Sequence, residues 1–433
     1  MTVYLLISKS MKFLINKIFY FKKYKRERKR LILKLLTIIF LEIFFILASL
    51  ILLPLFLFLK KIIDIRFYEI TSNRVGHLIL NTELYLCKKQ KNYNKKYSFD
   101  IFYFSEKISN KYISKHVKKN LKVLPRFFFA RFHKILELLK IDNIQVREIN
   151  ESYDKDNLLF EYKPFIRILD HEVENGWYQL EKNFQTPREL FENKIAFFSM
   201  RDPVYLDYEF PENKWDYHNY RDVNSDSFLL AAETLANKGY KVFRLGRKVA
   251  KPFKSKNSNV IDYANSNFKS DFLDLFIGKV SKFGVSTGTG IENVATAFRK
   301  PLCIIHVPFE FSYFHCGNLI MTRNHYSKSL ERNLTISEIF ENSSKNKFKY
   351  SSELYKNQGI NLQENTKEEI NDFVIERLNS LEQKNIDFFN TEHQREFWKV
   401  FNHNLNKYNI RYYNKINGHF SNIFLEKNEW FIR

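Results

Sequence analysis

The sequence predicts an α/β protein with two lobes of alternating strands and helices, preceded by one membrane-associated helix. Three observations support this prediction. A 25-residue segment near the N-terminus is almost entirely apolar, short apolar runs alternate with amphipathic stretches from residue 66 onward, and two of only 11 glycines fall together at one strand-to-helix turn. Strands that alternate with helices are typical of parallel sheets.

The composition excludes several classes of protein. With 433 residues, 45% of them hydrophobic and 17% aromatic, the chain can bury sizeable cores and is not wholly disordered. Its three cysteines (Cys87, Cys303 and Cys316) form no C-x-x-C pair, which excludes a disulfide framework and a zinc ribbon. The net charge of +22 leaves two interpretations open, a functional basic surface or the composition of an AT-rich coding sequence.

Residues 1–65 form a basic N-terminus followed by the apolar segment Leu35–Leu59, whose one charged residue is Glu42. As a helix this segment reaches roughly 37 Å, enough to cross a hydrocarbon core of about 30 Å. The basic cluster Lys22–Arg30 favours a cytoplasmic N-terminus, but basic residues follow the segment as well. Both a single span and a re-entrant or shallow helix fit these flanks.

A first α/β lobe is predicted at 66–190. The sequence favours strands at 66–71, 99–104 and 121–124, a helix through Leu84, Tyr85 and Cys87, and a basic amphipathic helix at 125–140. The polar, irregular stretch around Glu151–Asn193 links this lobe to the next.

A second lobe is predicted at 191–350, with a helical extension at 351–433 that packs back on the lobes. Strands are expected at 194–200, 241–245, 260–263, 280–286 and 302–306, with helices at 227–237, 271–277 and 291–298. This repeated β-α-β pattern indicates a doubly wound, Rossmann-like domain that binds a nucleotide.

The turn between the strand at 280–286 and the following helix carries the strongest chemical signal. It contains Ser286, Thr287, Gly288, Thr289 and Gly290. Free backbone N–H groups at such a turn, together with the positive end of the helix, suit a phosphate or diphosphate. Glu292 would cap the helix or accept hydrogen bonds from a ribose. The turn is not a Walker A loop, and the alternative is a tight turn that simply requires glycine.

Arginines follow two other strands of the second lobe. Arg201 would leave the carboxyl end of its strand, where open α/β sheets bind ligands, and it suits a bidentate contact with a diphosphate. Arg244 and Arg247 flank Gly246 and could neutralise a leaving group. The alternative for Arg201 is a surface ion pair with Asp202. The alternative for Arg244 and Arg247 is that their side chains are solvated near the end of their strand.

His77, at the start of the first helix of the first lobe, is a candidate general base, and the alternative is a capping or locally hydrogen-bonded histidine. Two further groups give weaker signals. His306, His315 and Cys316 match no standard metal site, and Asp154-Lys155-Asp156 is interpreted as a charged loop, so no metal site is expected.

The ordered combination of several short motifs resembles a family of bacterial glycosyltransferases found with surface-polysaccharide biosynthesis. These motifs are RVGHLILNTELYL (Arg74–Leu86), MRDPVYLD (Met200–Asp207), YRD (Tyr220–Asp222), GYKVFRLGR (Gly239–Arg247), IDYA (Ile261–Ala264) and SKFGVSTGTG (Ser281–Gly290). The resemblance covers roughly residues 66–345 and implies a two-lobed fold of the GT-B type. Where the family has His-x-Arg and Tyr-Arg-Asn, this chain has Ser199-Met200-Arg201 and Tyr220-Arg221-Asp222, so the two arginines carry over.

The resemblance implies a glycosyltransferase whose second lobe binds a nucleotide-diphospho-sugar. Together with the apolar segment and the arginines at the strand ends, it leads to the hypothesis of a membrane-associated enzyme that uses a glycan or lipid-linked acceptor, no metal and no cofactor. We expect it at the bacterial inner membrane, with the catalytic lobes in the cytoplasm where nucleotide sugars are made. One alternative is a non-enzymatic basic membrane protein that binds anionic lipid or nucleic acid, although the motifs of nucleic-acid modules are absent. A second alternative is a transferase of polyol phosphate.

Overall fold

The computed structural model describes residues 25–91, 98–105, 107–141, 154, 157–305, 307–308, 317–383, 388–410 and 418–433. Its helices are α1 (Lys25–Ile62), α2 (Val75–Lys91), α3 (Lys111–Asn120), α4 (Arg126–Leu138), α5 (Leu158–Glu161), α6 (Asp170–Phe184), α7 (Val204–Glu209), α8 (Leu229–Asn237), α9 (Asp271–Val280), α10 (Glu292–Ala297), α11 (Ile336–Lys345), α12 (Ser352–Asn357), α13 (Lys367–Glu382), α14 (Glu392–Lys407) and α15 (Asn422–Lys427). Its strands are β1 (Asp64–Ile70), β2 (Ser98–Phe104), β3 (Ile195–Ser199), β4 (Lys241–Arg244), β5 (Val260–Ile261), β6 (Phe283–Ser286), β7 (Leu302–Ile305), β8 (Asn318–Met321), β9 (Asn324–Ser327), β10 (Arg332–Asn333), β11 (Ile360–Gln363) and β12 (Gly418–Phe420).

The chain divides into two compact units, each built from discontinuous segments. The first unit contains α1, β1, β2 and α4, and the second contains the other named elements. Helices α2 and α3, which the sequence analysis assigns to the first lobe, lie in the second unit. They do so because α2 packs against α10 and α3 packs against α9.

The first unit is a small parallel sheet with a helix core. Strands β1 and β2 pair in parallel from Asp64↔Ser98 to Ile70↔Phe104. Alternate residues of the strands, Phe67 and Ile101 among them, pack with Phe132 of α4 and with Phe56 of α1. The last turns of α1 therefore belong to a protein core and are not a detached segment.

Helix α1 contains the predicted apolar segment. Within the described residues, one helix (Lys29–Ile62, mean hydropathy 2.8 in its most apolar window) is long and apolar enough to cross a membrane. It contains Pro54, and basic residues Lys60 and Lys61 occupy its last turn. Length and composition alone are weak evidence of a membrane span, since core helices and signal sequences share them.

The second unit is built on a seven-stranded sheet with the order β12-β8-β7-β6-β3-β4-β5, in which all neighbouring strands are parallel. The predicted strands β3 to β7 and the predicted helices α8 to α10 are confirmed, with ends shifted by a few residues. From β3 the chain moves outward through β4 and β5, and it then returns to build β6, β7 and β8 on the other side. The order therefore reverses between β3 and β6.

The C-terminal extension is helical, as expected, but it also adds strands. Helix α13 packs against α8, and β12 pairs in parallel with β8 at the edge of the main sheet (Gly418↔Asn318). Strand β11 joins β9 and β10 in a small antiparallel sheet. The extension is thus part of the second unit rather than a separate tail.

Candidate functional site

The site is built where β3 and β6 end side by side. Ser199 and Ser286 are register partners at the carboxyl ends of these two strands. The Thr287 N–H donates to the Ser199 carbonyl oxygen (3.2 Å), and the Arg201 N–H donates to the Thr287 hydroxyl oxygen (2.8 Å). Open α/β sheets bind ligands outside the carboxyl ends of the strands at the point where strand order reverses. The structure thus brings Arg201 and the predicted loop together at that point.

Glu292 occupies the loop that the sequence analysis assigned to a phosphate. Its carboxylate accepts the Thr289 N–H (3.0 Å), the Gly288 N–H and the Ser286 hydroxyl, and the side chain is buried. The N–H groups of Gly288 and Thr289 are therefore not free in this structure. Of the two roles given above for Glu292, the structure shows the local one, in which the carboxylate accepts these N–H groups at the start of the helix. Burial raises the pKa of Glu292 to about 7, while these hydrogen bonds oppose the increase.

The backbone of the loop is held close to the first turn of α2. The carbonyl oxygen of Gly290 would lie 2.6 Å from a Cβ atom at Gly76, which is closer than real Cβ contacts. Gly288 has φ of +76°, a conformation that L side chains rarely adopt. Gly76 thus lets the loop approach α2, and Gly288 lets the loop turn. The second role is the alternative given above, a tight turn that requires glycine.

Arginine side chains supply the positive charge that the amides do not. Arg221 donates from Nη2 to the Gly288 carbonyl oxygen (2.8 Å), and its Nε is buried without a hydrogen-bond partner among the described residues. Nε of Arg201 lies 3.2 Å from Oδ1 of Asp222, yet neither atom makes a hydrogen bond there. These N–H groups leave donors available for an anionic ligand. Nε of Arg244 and Nε of Arg377 are unpartnered in the same way, so the position at the strand-order reversal, and not the free donors alone, marks the candidate site.

Arg74 is the third member of this arginine cluster (Arg74, Arg201 and Arg221). Its guanidinium lies 5.8 Å from the ring centroids of Phe210 and Trp215, and among the described residues no carboxylate forms an ion pair with it. Burial lowers the pKa of Arg201, and the charges of Arg221 and Arg74 add to the decrease. In the described part of the chain, Asp222 is the one carboxylate in ion-pair contact with the cluster.

His218 lies beside the cluster, stacked at 14° on the ring of Trp215. Its Nδ1 is buried and has no hydrogen-bond partner among the described residues. Burial, followed by the charges of Arg201, Arg221 and Arg74, lowers the pKa of His218 to about 4. The imidazole is therefore neutral at pH 7 and can accept a hydrogen bond or a proton.

Arg323, which follows strand β8, fixes the segment that carries Arg221 and Asp222. From Nη1 it donates to the Tyr220 carbonyl oxygen (3.1 Å), and from Nη2 to the carbonyl oxygens of Arg221 (3.4 Å) and Asp222 (2.5 Å). The side chain is buried. Three carbonyl contacts from one guanidinium make Arg323 a positioning residue for the cluster.

His77 lies in the first turn of α2, three residues after Arg74. Its Nδ1 lies 3.5 Å from the side-chain nitrogen of Asn81, and burial, with the charge of Arg74, lowers its pKa. The ring is thus neutral at pH 7, as a general base must be. The local contact with Asn81 also fits the alternative of a locally hydrogen-bonded histidine.

Arg244 and Gly246 do not reach the cluster. The Arg244 side chain is 1% exposed and pairs with Asp262 (3.4 Å), which also accepts the Phe253 N–H. The expected contact of Arg244 with a leaving group is wrong for this structure, because β4 directs the side chain into the protein. A Cβ at Gly246 would lie 2.8 Å from Val249, so this glycine serves local packing.

The weaker candidates add no metal site to the described residues. Within the described ranges, no three His, Cys, Asp or Glu side chains are grouped so that they could hold a metal ion. His306, His315, Cys316, Lys155 and Asp156 lie outside these ranges. Asp154 accepts the N–H groups of Leu158 and Leu159, each at 2.9 Å, and so begins α5.

Sequence reasoning missed His218 and Arg323. Arg323 follows the apolar run Asn318–Met321 in the way that Arg201 follows β3, so the same strand-end rule would have found it. His218 lies in a 3₁₀ helix (Asp216–Arg221) without a periodic pattern, and its place depends on tertiary contacts.

Comparison with known proteins gives distant likenesses among solved structures. A glycosyl transferase family 9 protein from Veillonella parvula DSM 2008 has a TM-score of 0.37 and 9% identity over 60% of this chain and 86% of that chain. E. coli ADP-heptose LPS heptosyltransferase II has a TM-score of 0.30 and 13% identity, and the match covers 56% of this chain and 84% of that chain. E. coli heptosyltransferase WaaC with ADP has a TM-score of 0.32 and 12% identity, and the match covers 66% of this chain and 99% of that chain. Similarities this low carry no conclusion about this chain, and no family model or curated protein matches it.

Proposed function

We propose that the protein is a glycosyltransferase that moves a sugar from a nucleotide-diphospho-sugar to a glycan or lipid-linked acceptor. One observation carries the proposal. Two half-buried arginines, Arg201 and Arg221, lie at the strand-order reversal of a parallel sheet with Arg74 beside them, and their Nε atoms have no hydrogen-bond partner among the described residues. Such a surplus of positive charge in a low-dielectric site favours a ligand with two linked phosphates. The motifs that resemble bacterial glycosyltransferases contain all three arginines.

The arginine cluster would bind the diphosphate of the donor. When the bond between the anomeric carbon and the diphosphate oxygen breaks, its electron pair remains on the nucleoside diphosphate. Guanidinium groups already in place stabilise this developing negative charge without reorganisation. We therefore propose that transfer requires no divalent cation, and that activity persists in excess chelator.

The acceptor hydroxyl oxygen forms the new bond to the anomeric carbon and must lose its proton to a base. His77 is our first candidate, since its ring is neutral at pH 7 and it follows Arg74 by three residues. His218 is the second, because its pKa of about 4 also leaves it neutral and its Nδ1 is free among the described residues. Replacing each by asparagine distinguishes them, since loss of the base lowers kcat more than donor affinity.

We also propose that the protein works at a bacterial inner membrane, with both units on the cytoplasmic side. Helix α1 supports this proposal by its length and apolarity. An anchored enzyme meets a lipid-linked acceptor at a raised effective concentration. The triple variant Leu36→Glu/Phe40→Glu/Leu47→Glu, which changes exposed residues of α1 and leaves its core residues in place, tests this part. It should lose activity on lipid-linked acceptors before activity on soluble ones.

The direct experiment is a transfer assay with purified protein, UDP-, GDP-, ADP-, CDP- and dTDP-linked sugars and a CDP-linked polyol, which measures released nucleotide and product mass. Arg201→Ala and Arg221→Ala should each lower kcat/KM at least tenfold. Arg188→Ala is the matched control, because Arg188 forms partly exposed ion pairs with Glu174 and Glu192 on the same unit. Full activity in both cluster variants would disprove the site assignment.

Product mass also separates the main proposal from its enzymatic rival. Transfer of a sugar leaves a nucleoside diphosphate, whereas transfer of a polyol phosphate leaves a nucleoside monophosphate and adds phosphorus to the acceptor. A non-enzymatic basic protein would release neither nucleotide. The assay therefore has a different readout for each of the three hypotheses.

A further inference from the structure

Helix α1 has one face that is covered by protein. Glu42, Phe45, Ser49, Leu53 and Phe56 follow one another at intervals of three or four residues, and all of them are buried or partly buried. This spacing places them on one side of a helix. The rings of Phe45 and Phe56 contact α4 at Phe127 (5.2 Å) and Phe132 (5.2 Å). The covered stretch from Glu42 to Phe56 is about 21 Å long.

The rest of the α1 surface is exposed and apolar, and its centre lies opposite the covered face. Ile43, Phe44, Leu50 and Leu55 are exposed on its flanks. Leu36, Phe40, Leu47, Ile51 and Phe58 follow the same helical period and are 55%, 68%, 55%, 77% and 61% exposed. The face continues from Leu33 to Ile62, roughly 43 Å along the axis. A contiguous apolar surface of this length is far beyond what soluble monomers expose.

An ion pair fixes α4 to the covered face. The guanidinium of Arg131 donates from Nε to Oε2 of Glu42 (2.5 Å) and from Nη2 to Oε1. It also lies 5.4 Å from the ring centroid of Phe45. Glu42 is therefore paired with a positive charge of the neighbouring helix, in the middle of an otherwise apolar segment.

A perpendicular crossing of α1 would bring this covering protein into the hydrocarbon. Glu42 is seven residues inside the segment Leu35–Leu59, about 10 Å below its start. Its partner helix α4 also carries Arg126 and Lys134, and the sheet that packs on Phe56 contains the ion pair Arg66–Asp100 (2.6 Å). Charged groups and strands of a small sheet are not stable in a bilayer core.

We propose that α1 lies in the plane of an anionic membrane surface and does not cross it. The exposed face enters the acyl boundary, and α4 with the β1–β2 sheet lies on the water side. Lys29, Arg30 and Lys34 near one end and Lys60 and Lys61 at the other reach the anionic head groups. This inference rests on the membrane association proposed above, and it does not depend on the transfer reaction.

Thiol labelling of the full chain tests the in-plane arrangement. Lys29→Cys and Lys61→Cys variants are bound to preformed vesicles of phosphatidylcholine and phosphatidylglycerol, treated with a membrane-impermeant maleimide and mapped by peptide mass. We expect both new cysteines to react from outside to the same extent as in detergent. If the cysteine at position 29 reacts only after detergent is added, α1 spans the bilayer and the proposal is wrong.

Vesicle flotation tests the exposed face separately. Leu36→Glu/Phe40→Glu/Leu47→Glu should reduce the vesicle-bound fraction at least tenfold. The control Phe160→Glu/Leu190→Glu adds the same kind of charge at two exposed apolar residues of the other unit and should float like the wild type. Undiminished flotation of the triple variant, or dimerisation without vesicle binding in the wild type, would overturn the proposal. Neither result bears on nucleotide-sugar transfer.

The Glu42–Arg131 pair gives a third test. Arg131→Glu places two carboxylates together and should weaken vesicle binding, because α4 then separates from α1 and exposes charge to the lipid. The double variant Glu42→Arg/Arg131→Glu restores the opposite charges and should restore binding. If the single and double variants bind vesicles equally, the pair has no part in the arrangement.

Discussion

At the scale of single residues, the most informative side chain is Glu292. The sequence places it in the first turn of a helix, where a carboxylate is favourable, but the pattern does not show which donors it accepts. In the structure it accepts the N–H groups of Gly288 and Thr289 and so takes the place expected for a phosphate. The protein's own carboxyl group thus holds the loop, and binding the negative charge of a ligand is left to the arginines.

The raised pKa of Glu292 predicts a pH dependence of stability. Between its unfolded pKa near 4.5 and its folded pKa of about 7, the folded protein keeps a proton that the unfolded chain releases. The free energy of unfolding therefore falls as pH rises through this window, by on the order of 3 kcal/mol from this group. Glu292→Gln keeps an acceptor oxygen and removes the charge, so it should gain stability relative to the wild type from pH 5 to pH 8 in urea unfolding.

Glu338 provides the matched control for this measurement. A hydrogen bond from Arg332 lowers the pKa of Glu338 to about 2, and this carboxylate also closes the capping box of α11. The stabilisation of the folded protein that the lowered pKa of Glu338 represents is present above pH 4.5 and is lost as pH falls toward 2. Glu338→Gln should therefore lower stability by a constant amount from pH 5 to pH 8. Parallel curves for the wild type and Glu292→Gln would contradict the raised pKa of Glu292.

At the scale of elements, the contact between α2 and the loop before α10 gives a sharp prediction. Gly76→Ala places a Cβ 2.6 Å from the Gly290 carbonyl oxygen and should cost about 1–3 kcal/mol, as overpacking does. Gly290→Ala places a Cβ at ordinary distances, with its nearest contact at 3.5 Å, and should cost less. Urea unfolding of both variants measures the difference. Equal stability would show that the two backbones are not held together.

The segment Tyr220–Asp222 gives a second prediction at this scale. Arg323→Met should weaken nucleotide binding about tenfold or more, because three carbonyl oxygens lose their donor and Arg221 loses its position. Arg332→Met, in the adjoining small sheet, removes an exposed ion pair and should leave affinity unchanged. Isothermal titration with the preferred nucleotide measures both. If Arg221→Ala weakens nucleotide binding and Arg323→Met does not, Arg323 does not position the cluster.

Most elements of the second unit could be predicted from the sequence, and the reason is physical. Strands β3, β6 and β7 are short apolar runs bounded by polar turns, and a strand buried on both faces needs that pattern. The strand-end rule therefore placed Arg201 just after β3, which is its position in the structure. It could not tell that the Arg244 side chain points inward, since that depends on which face of β4 is covered.

At the scale of the whole molecule, the net charge of +22 does not by itself define a site. Most lysines and arginines of such a chain are solvated, and surface charge contributes little to a specific interaction. The arginine cluster differs because its guanidinium groups are partly or largely buried and keep free donors. Nucleotide affinity should accordingly fall only modestly from 0.1 to 0.5 M salt, whereas binding to anionic vesicles should fall steeply. Titrations at both salt concentrations check this prediction, and equal salt dependence would contradict it.

The division into two units also shows where sequence reasoning ended. Periodicity located α2, and the sequence analysis did not predict α3. Neither helix could be assigned to the second unit from the sequence, because that assignment depends on contacts with α10 and α9, which are remote in sequence. The resemblance to glycosyltransferases likewise implied a fold with two lobes, but it did not show which helices pack together.

The central claim is that the arginine cluster binds a nucleoside diphosphate. Isothermal titration of the full-length protein with UDP, GDP, ADP, CDP and dTDP at 0.1 M salt tests it most directly. The account predicts that at least one of them binds, that Arg201→Ala and Arg221→Ala weaken its Kd ten- to hundredfold, and that Arg188→Ala does not change it. Absence of binding to all five, or equal Kd values in the three variants and the wild type, would contradict the claim.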